Sequence, residues 1–419
     1  MNFSSIIEIL LQHQNSLPEY ENLHQFTTLF YQYWQQLGCL VQQQLIQSKI
    51  ENLEAQYKFP RTKKKKKYYT PLGEMVVQRR GYQTPDGINF KADNELGLPQ
   101  EKWLPSVLEL GSALGVSSEF PNAHKLWQKW TNIEITEKTL ANQVEKIGNK
   151  LQKEEFILSP KLEEKKRLST DISKEEIIYV GVDGVMTPLN QKQGYKEAKV
   201  GVVFYKKDHE KKNKRGIVRE KEYIATLESR DKFREQINKL YQQVSKQKKH
   251  QTVVIGDGAH WIWEMASQSY PNAIQILDFY HLSEYIWKVA KTAYINNEEQ
   301  QKNWVNNQQD LLKKSQWEKV INNCQKIKGK RQELREALQN LQRYITNNIP
   351  RIDYQKYLEM GLMIGSGVVE SSNRRVVTQR LKQAGMHWSK KGAEGVMALR
   401  ASYLSSSARW SNFWQSQCV

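Results

Sequence analysis

Two apolar, β-branched runs carry the same dipeptide at their ends. Ile177 to Val185 bears Asp183-Gly184, and Thr252 to Gly256 runs into Asp257-Gly258. A carboxylate at the end of a buried strand is costly unless a cation, hydrogen-bond donors or a ligand receive it. Asp183 is therefore either a turn cap or a metal ligand. Glycine permits a sharp turn and leaves room for a bulky ligand. If the two strands were neighbours in one sheet, their carboxylates would repel and demand a compensating cation. Hard divalent cations such as Mg²⁺ or Mn²⁺ take oxygen donors and keep open positions for phosphate oxygens. Glu370, at the start of a later helix, would complete such a site. Two ions about 3.5–4 Å apart can then clamp the attacking and leaving oxygens of an in-line phosphoryl displacement. Asp-Gly also forms ordinary turns, and Asp86-Gly87, behind Pro85, reads as one. Asp278 and His281 form an Asp-x-x-His pair at the end of the next apolar run. His281 can ligate metal, donate to a phosphate or hold Asp278. The plainer alternative is a helix-capping aspartate beside a structural histidine.

The elements that must position these groups follow from periodicity. Ile177 to Val185, Lys199 to Tyr205 and Glu222 to Leu227 read as three strands whose short spacing suits an antiparallel meander, with a basic turn region at Lys206 to Lys214. A helix at Asp231 to Val244, a strand at Thr252 to Gly256, a helix at Trp261 to Ser267 and a strand at Ala273 to Leu277 continue in alternation. The expected core is thus α/β, a mixed five-stranded sheet with flanking helices. Residues 284–362 are polar and helical, with segments at Tyr285 to Tyr294, Trp304 to Cys324 and Leu334 to Ile345. Met363 to Val369 then leads into Glu370 and a basic helix. The expected divisions are a helical N-terminal region (1–58), a basic linker with a small β element (59–98), a helix-turn-helix-like domain (99–150), a helical linker (151–174), the two core parts (175–283 and 363–419) and the helical block between them.

A net charge of +18 and a pI near 9.5 suggest a polyanionic partner, with double-stranded DNA the foremost candidate. The candidate contacts fall in three places. Lys63, Lys64, Lys65, Lys66 and Lys67 form a block expected to be extended and self-repelling, either a phosphate contact or a solvated linker. Thr139, Asn142, Gln143 and Lys146 mark the polar side of the helix Thr136 to Ile147. Arg374, Arg375, Arg380, Lys390 and Lys391 offer charge near the C-terminus, and Trp388 a flat face for a base. Three scattered cysteines, Cys39, Cys324 and Cys418, indicate neither a disulfide framework nor a zinc ribbon, so no zinc is expected. The apolar start, Phe3 to Leu11, reads as an amphipathic helix, and no apolar run reaches the roughly 18 residues of a membrane span. The expected setting is cytoplasmic, at the nucleoid.

The ordered motifs Val-Gly-Val-Asp183-Gly-Val, Ile-Gly-Asp257-Gly-Ala, Asp278-Phe-Tyr-His281-Leu, Gly-Ser-Gly-Val-Val-Glu370-Ser-Ser-Asn and Met-His-Trp388-Ser with Gly-Ala-Glu-Gly resemble the ISKra group of bacterial insertion-sequence transposases. These belong to the Mutator-like DDE enzymes, and the likeness covers about Leu98 to Ser406. It implies an RNase H-like fold, a catalytic triad of Asp183, Asp257 and Glu370, an all-α insertion at 284–362, and a homo-oligomer working on element ends and target DNA. Many relatives carry a cysteine-rich ribbon before the helix-turn-helix. Here Tyr68 to Phe90 keeps the hairpin pattern without cysteine. A non-catalytic DNA-binding derivative and an RNase H-like nuclease without strand transfer are the alternatives.

Overall fold

The computed structural model describes residues 22–153 and 176–417, apart from 86, 191–193, 207–208, 213–214, 246–249 and 366. The expected helix at Phe3 to Leu11, the aspartate of the Asp86-Gly87 turn and nearly all of the 151–174 linker lie outside the described residues. The chain divides into two units, Met1–Ile147 with Phe413–Val419, and Gly148–Asn412. No helix among the described residues is long and apolar enough to cross a membrane.

The first unit is built on a 32-residue helix, Leu23–Glu54, laid against a three-stranded antiparallel sheet of β1 (Thr62–Thr70), β2 (Gly73–Thr84) and β3 (Gly87–Asn89). Tyr68, Met75 and Val77 alternate inward and pack with Cys39, Ile50 and Ala92. Side chains of the helix close the free edge of β2: Gln43 and Gln47 accept from the backbone N–H groups of Val76 and Gln78, each at 2.8 Å. The lysine block is a correction to the expected linker. Lys63 to Lys67 lie within β1, with Lys63 opposite Arg80 and Lys64 opposite Arg79. Successive strand side chains point to opposite faces, so neighbouring lysines do not share one surface and the repulsion that argued for a loop is halved. Helices Pro105–Ser117, Phe120–Trp130 and Glu137–Lys153 follow as expected for the 99–150 region. Trp127 is their core, its Nε1 donating to Ile133 O at 3.0 Å across the turn.

The second unit is α/β. Its five-stranded sheet comprises β4 (Ile177–Pro188), β5 (Tyr195–Tyr205), β8 (Glu222–Thr226), β9 (Gln251–Gly256) and β10 (Ile274–Leu277), in the order β10-β9-β4-β5-β8. The β4–β5 and β5–β8 pairs are antiparallel; β4–β9 and β9–β10 are parallel. That is the expected meander followed by alternation. The region read as a basic turn instead carries a small hairpin, β6 (His209–Lys212) and β7 (Arg215–Val218). The edge strand β8 is covered by the helix Lys390–Leu404, where the buried Glu394 accepts from Leu227 N at 2.5 Å and from Thr226 Oγ1. Between β10 and Glu370 stand the expected helices. The one predicted from Trp304 to Cys324 is broken at Ser315, which takes a positive φ of 54° and separates Glu298–Lys313 from Trp317–Lys326.

One close approach sets the geometry of everything that follows. The helix Gly367–Asn373 crosses β4 at Gly181, where a Cβ would collide with Val369 Cγ2 and crowd Val202 Cγ1. The missing side chain lets Val369 seat on the strand and brings Glu370 to the same end of the sheet as Asp183. Gly181→Ala is expected to destabilise the protein by about 1–3 kcal/mol through overpacking, measured by denaturant unfolding. Val369→Ala in the same chain should recover part of that loss, because the collision is with that side chain.

Candidate active site

The parallel register aligns three carboxylates. Val182 pairs with Gly256, and Gly256 pairs with Leu277. Asp183, Asp257 and Asp278 are the next residues along, so they stand side by side just past the C-terminal ends of β9 and β10, where open α/β sheets place their binding crevices. Asp183 itself is a correction to the expected strand end: β4 continues beyond it to Pro188, paired with β5. Asp183, Asp257, Asp278 and Glu370 all line one cavity of about 50 Å³. That is space for ions and a water or two, far below a drug-sized pocket.

Each acid is held differently. Asp183 Oδ1 accepts from Gly184 N at 2.7 Å, and its Oδ2 accepts from Asn373 Nδ2. Burial, and next the adjacent Asp257 carboxylate, push the Asp183 carboxyl up to about 8. Asp257 Oδ1 accepts from Ala259 N at 3.0 Å, which shapes the turn through Gly258, a residue with φ of +72°. Asp278 is buried and caps the helix Phe279–Ala293, its Oδ1 accepting from Tyr280 N at 2.8 Å. The capping alternative thus describes Asp278 correctly, although the residue also faces the cavity. His281 lines the cavity with its Nδ1 3.7 Å from Glu284 Oε2. Glu370 is the exposed member.

Two further residues, not singled out from the sequence, belong to the site. Asn373 lies one helical turn beyond Glu370, so the same face that carries the glutamate carries the amide to Asp183. Its Oδ1 is buried without a hydrogen-bond donor. A π-helical turn, Arg374–Thr378, follows at once, a local feature that recurs at functional sites. The Glu-x-x-Asn spacing was the available signal. Tyr344 comes from the helix Gln332–Asn347 of the helical block. Its hydroxyl donates to Asp257 O at 3.3 Å and sits on Gly258, while its ring stacks on Tyr285 with centroids 4.2 Å apart. No local pattern announces it, since 87 residues separate it from Asp257.

Among the described residues, no three His, Cys, Asp or Glu side chains are drawn close enough to hold a metal ion unaided. The Asp183–Asp257 pair nevertheless fits one. Two carboxylates in contact, one of them forced toward its neutral form, and a buried amide oxygen without a donor are all relieved by a divalent cation. The donors are oxygens, the set that Mg²⁺ or Mn²⁺ prefers.

The candidate DNA contacts divide by burial. Lys63, Lys64 and Lys65 are exposed, as are Arg374, Arg375, Asn142 and Lys391. Lys67 is exposed but paired with Glu74 at 2.5 Å. Lys66 turns inward to Pro99 O at 2.8 Å, and burial, then Arg79, lower its ammonium to about 8. Thr139 shares a hydrogen bond with the capping Thr136, Gln143 is half-buried, and Lys146 is bridged to Glu101 at 2.5 Å. Lys390 is paired with Glu228 at 2.9 Å. Arg380 and Trp388 are corrections: both are buried, the guanidinium 5.0 Å above the indole, so they hold the C-terminal helices together and present no surface to a duplex. A basic residue read singly on a helix gives no sign of the face it occupies.

Residues 23–417 match the description "Uncharacterised protein family (UPF0236)". A protein of Streptococcus gallolyticus described as the UPF0236 protein in the vanSb 3′ region is 24% identical over 337 residues, which cover 78% of this chain and 70% of that protein.

The carboxylate pair makes a pH-dependent contribution of definite sign. Asp183 is raised to about 8 in the folded chain, against roughly 3.9 when unfolded. Its proton is therefore bound more tightly in the native state, and the contribution is complete below about pH 4 and lost as pH rises through about 8. Thermal unfolding without divalent cations should show wild type losing more stability than Asp183→Asn between pH 5 and pH 8.5. At the higher pH the variant should be the more stable by roughly 1–3 kcal/mol.

Proposed function

The chain belongs to the uncharacterised protein family UPF0236, and we propose that it is a DNA transposase of the DDE type, related to the ISKra group and built on an RNase H-like core. The observation that carries this reading is the alignment of Asp183 and Asp257 at one level of two adjacent parallel strands, with Glu370 delivered to the same cavity by the helix that crosses Gly181. The strand order β10-β9-β4-β5-β8, with three antiparallel strands followed by two parallel ones, supports the RNase H-like assignment. The helical block between β10 and Glu370 supports the likeness to enzymes that carry an all-α insertion there.

In this reading Asp183, Asp257 and Glu370 would hold two Mg²⁺ or Mn²⁺ ions, which would supply the charge compensation that phosphoryl displacement needs. Asn373 fixes the rotamer of Asp183. Tyr344 and the Ala259 amide fix the turn that presents Asp257. Asp278 adds negative potential behind the pair and anchors the helix that carries His281. Arg374 and Arg375, exposed and immediately after Asn373, meet the phosphate backbone. Water attacks the phosphodiester at the element end, and the bond from phosphorus to the 3′ oxygen breaks. The freed 3′-hydroxyl then attacks a target phosphodiester. One phosphodiester bond forms as another breaks, so no covalent protein intermediate is required; positioning carries the reaction. The partner is double-stranded DNA, bound at the nucleoid.

A nicking and strand-transfer assay on the element's own ends, with Mg²⁺ or Mn²⁺, tests this. Asp183→Ala, Asp257→Ala and Glu370→Gln should abolish both steps while leaving DNA binding in place, and Asn373→Ala should cost roughly 10–100-fold. Full strand transfer by Asp183→Ala would overturn the mechanism. Cleavage without strand transfer would favour a plain nuclease.

The exposed lysines of β1 are assigned to backbone contact. Replacing Lys63, Lys64 and Lys65 together with glutamine should weaken DNA binding on any sequence. It should also lower the slope of log K against log salt by about 2, the share of Lys63 and Lys65, which lie on one face of the strand. An unchanged slope would assign the strand a structural role only.

A further inference from the structure

The helix Leu23–Glu54 is apolar on two opposite faces. One face packs on the sheet through Cys39, Ile46, Ile50 and Leu53. At 100° per residue, Leu23, Phe30, Trp34, Leu37, Val41 and Leu45 gather on the far side, about 160° away. Leu23, Phe30, Trp34, Val41 and Leu45 are exposed, between 43 and 74%. The steps from Leu23 through Phe30, Trp34 and Leu37 to Val41 are seven, four, three and four, the a/d spacing of a heptad seam sustained over most of three heptads. Phe30 and Trp34 already stack along it, with centroids 6.4 Å apart.

Charge identifies what this face accepts. From Leu23 to Ser48 the helix contains no Lys, Arg, Asp or Glu, in a chain whose net charge is +18. A face without cations does not serve nucleic acid, and one without charge of either sign gives no steering toward a charged partner. Two copies of it, by contrast, meet without repulsion, and a twofold pairing sets like residues against like. The exposed apolar side chains amount to on the order of 600 Å² per copy, so a pair buries on the order of 1,200 Å², the lower bound of stable interfaces.

We propose that this face is the self-association surface of the protein, joining two copies through a coiled-coil seam of Phe30, Trp34, Leu37 and Val41. The proposal is independent of the catalytic reading and stands or falls without it.

Sedimentation velocity on the full chain, without DNA, is the test. Wild type should sediment at twice its 49.2 kDa mass at micromolar concentration. Trp34→Glu with Val41→Glu should sediment as a monomer with an unchanged far-ultraviolet circular dichroism spectrum, since both side chains point away from the core; its melting temperature should lose the concentration dependence of the dimer. If that pair fails to fold, Phe30→Gln with Val41→Gln keeps the helix neutral and should raise the dimer dissociation constant at least tenfold. A monomeric wild type overturns the proposal, as does a dimer that both variant pairs leave intact. A wild-type monomer that dimerises once residues 1–21 are removed also overturns it, and assigns the face to a cover from the same chain.

Discussion

Two carboxylates meeting across neighbouring buried strands are the constraint from which the second unit of this molecule follows. Unrelieved, the pair repels in a medium that screens poorly. The surroundings soften the conflict without removing it. Asn373 and the Gly184 amide donate to Asp183, the Ala259 amide donates to Asp257, and burial drives one acid toward its neutral form. What remains is a pair of buried acids that costs the fold stability.

The architecture serves that pair from three sides. The sheet provides the alignment, because parallel register places equivalent residues of β4, β9 and β10 at one level. The glycine at 181 permits the approach of the helix that brings Glu370 and Asn373 together. The helical block contributes Tyr344, whose hydroxyl and ring close over the Asp257-Gly258 turn. A block separated from the acid by many residues therefore buttresses it directly. The remaining buried polar groups hold the frame: Glu394 clasps the edge strand β8, and Arg409 joins Glu222 and the Tyr223 carbonyl in the same region.

The first unit illustrates a different balance. A run of five lysines would repel itself along a flexible segment, yet here it is a strand. Pairing with β2, the inward packing of Tyr68 and the alternation of faces outweigh a repulsion that water screens at the exposed positions. The one lysine that turns in, Lys66, is neutralised in part by burial and anchored on a carbonyl.

Much was legible in the chain alone where the physics is local. Apolar β-branched runs located all five strands of the main sheet, because a strand buried on both faces must be apolar at nearly every position. Asp-Gly in one of those strands and just after another, and a glutamate followed one turn later by an amide, were visible as residue types at characteristic spacings, although β4 runs on past its Asp-Gly. Distant partners and the facing of side chains were not. The helix break at Ser315 escaped notice because a residue other than glycine takes the left-handed φ that closes the helix, with Gln316 N donating to Leu311 O and Ser315 N to Leu312 O, each at 2.9 Å. Arg380 and Trp388 looked like surface contacts until packing buried them against each other. Sequence by itself determined that acids would sit on or just after buried strands. Only the tertiary structure decided that they share one cavity, that Tyr344 and Asn373 hold them, and which of the cations face outward. Adjacency across a sheet and the facing of a helix depend on contacts between residues far apart in the chain, and no local spacing encodes them.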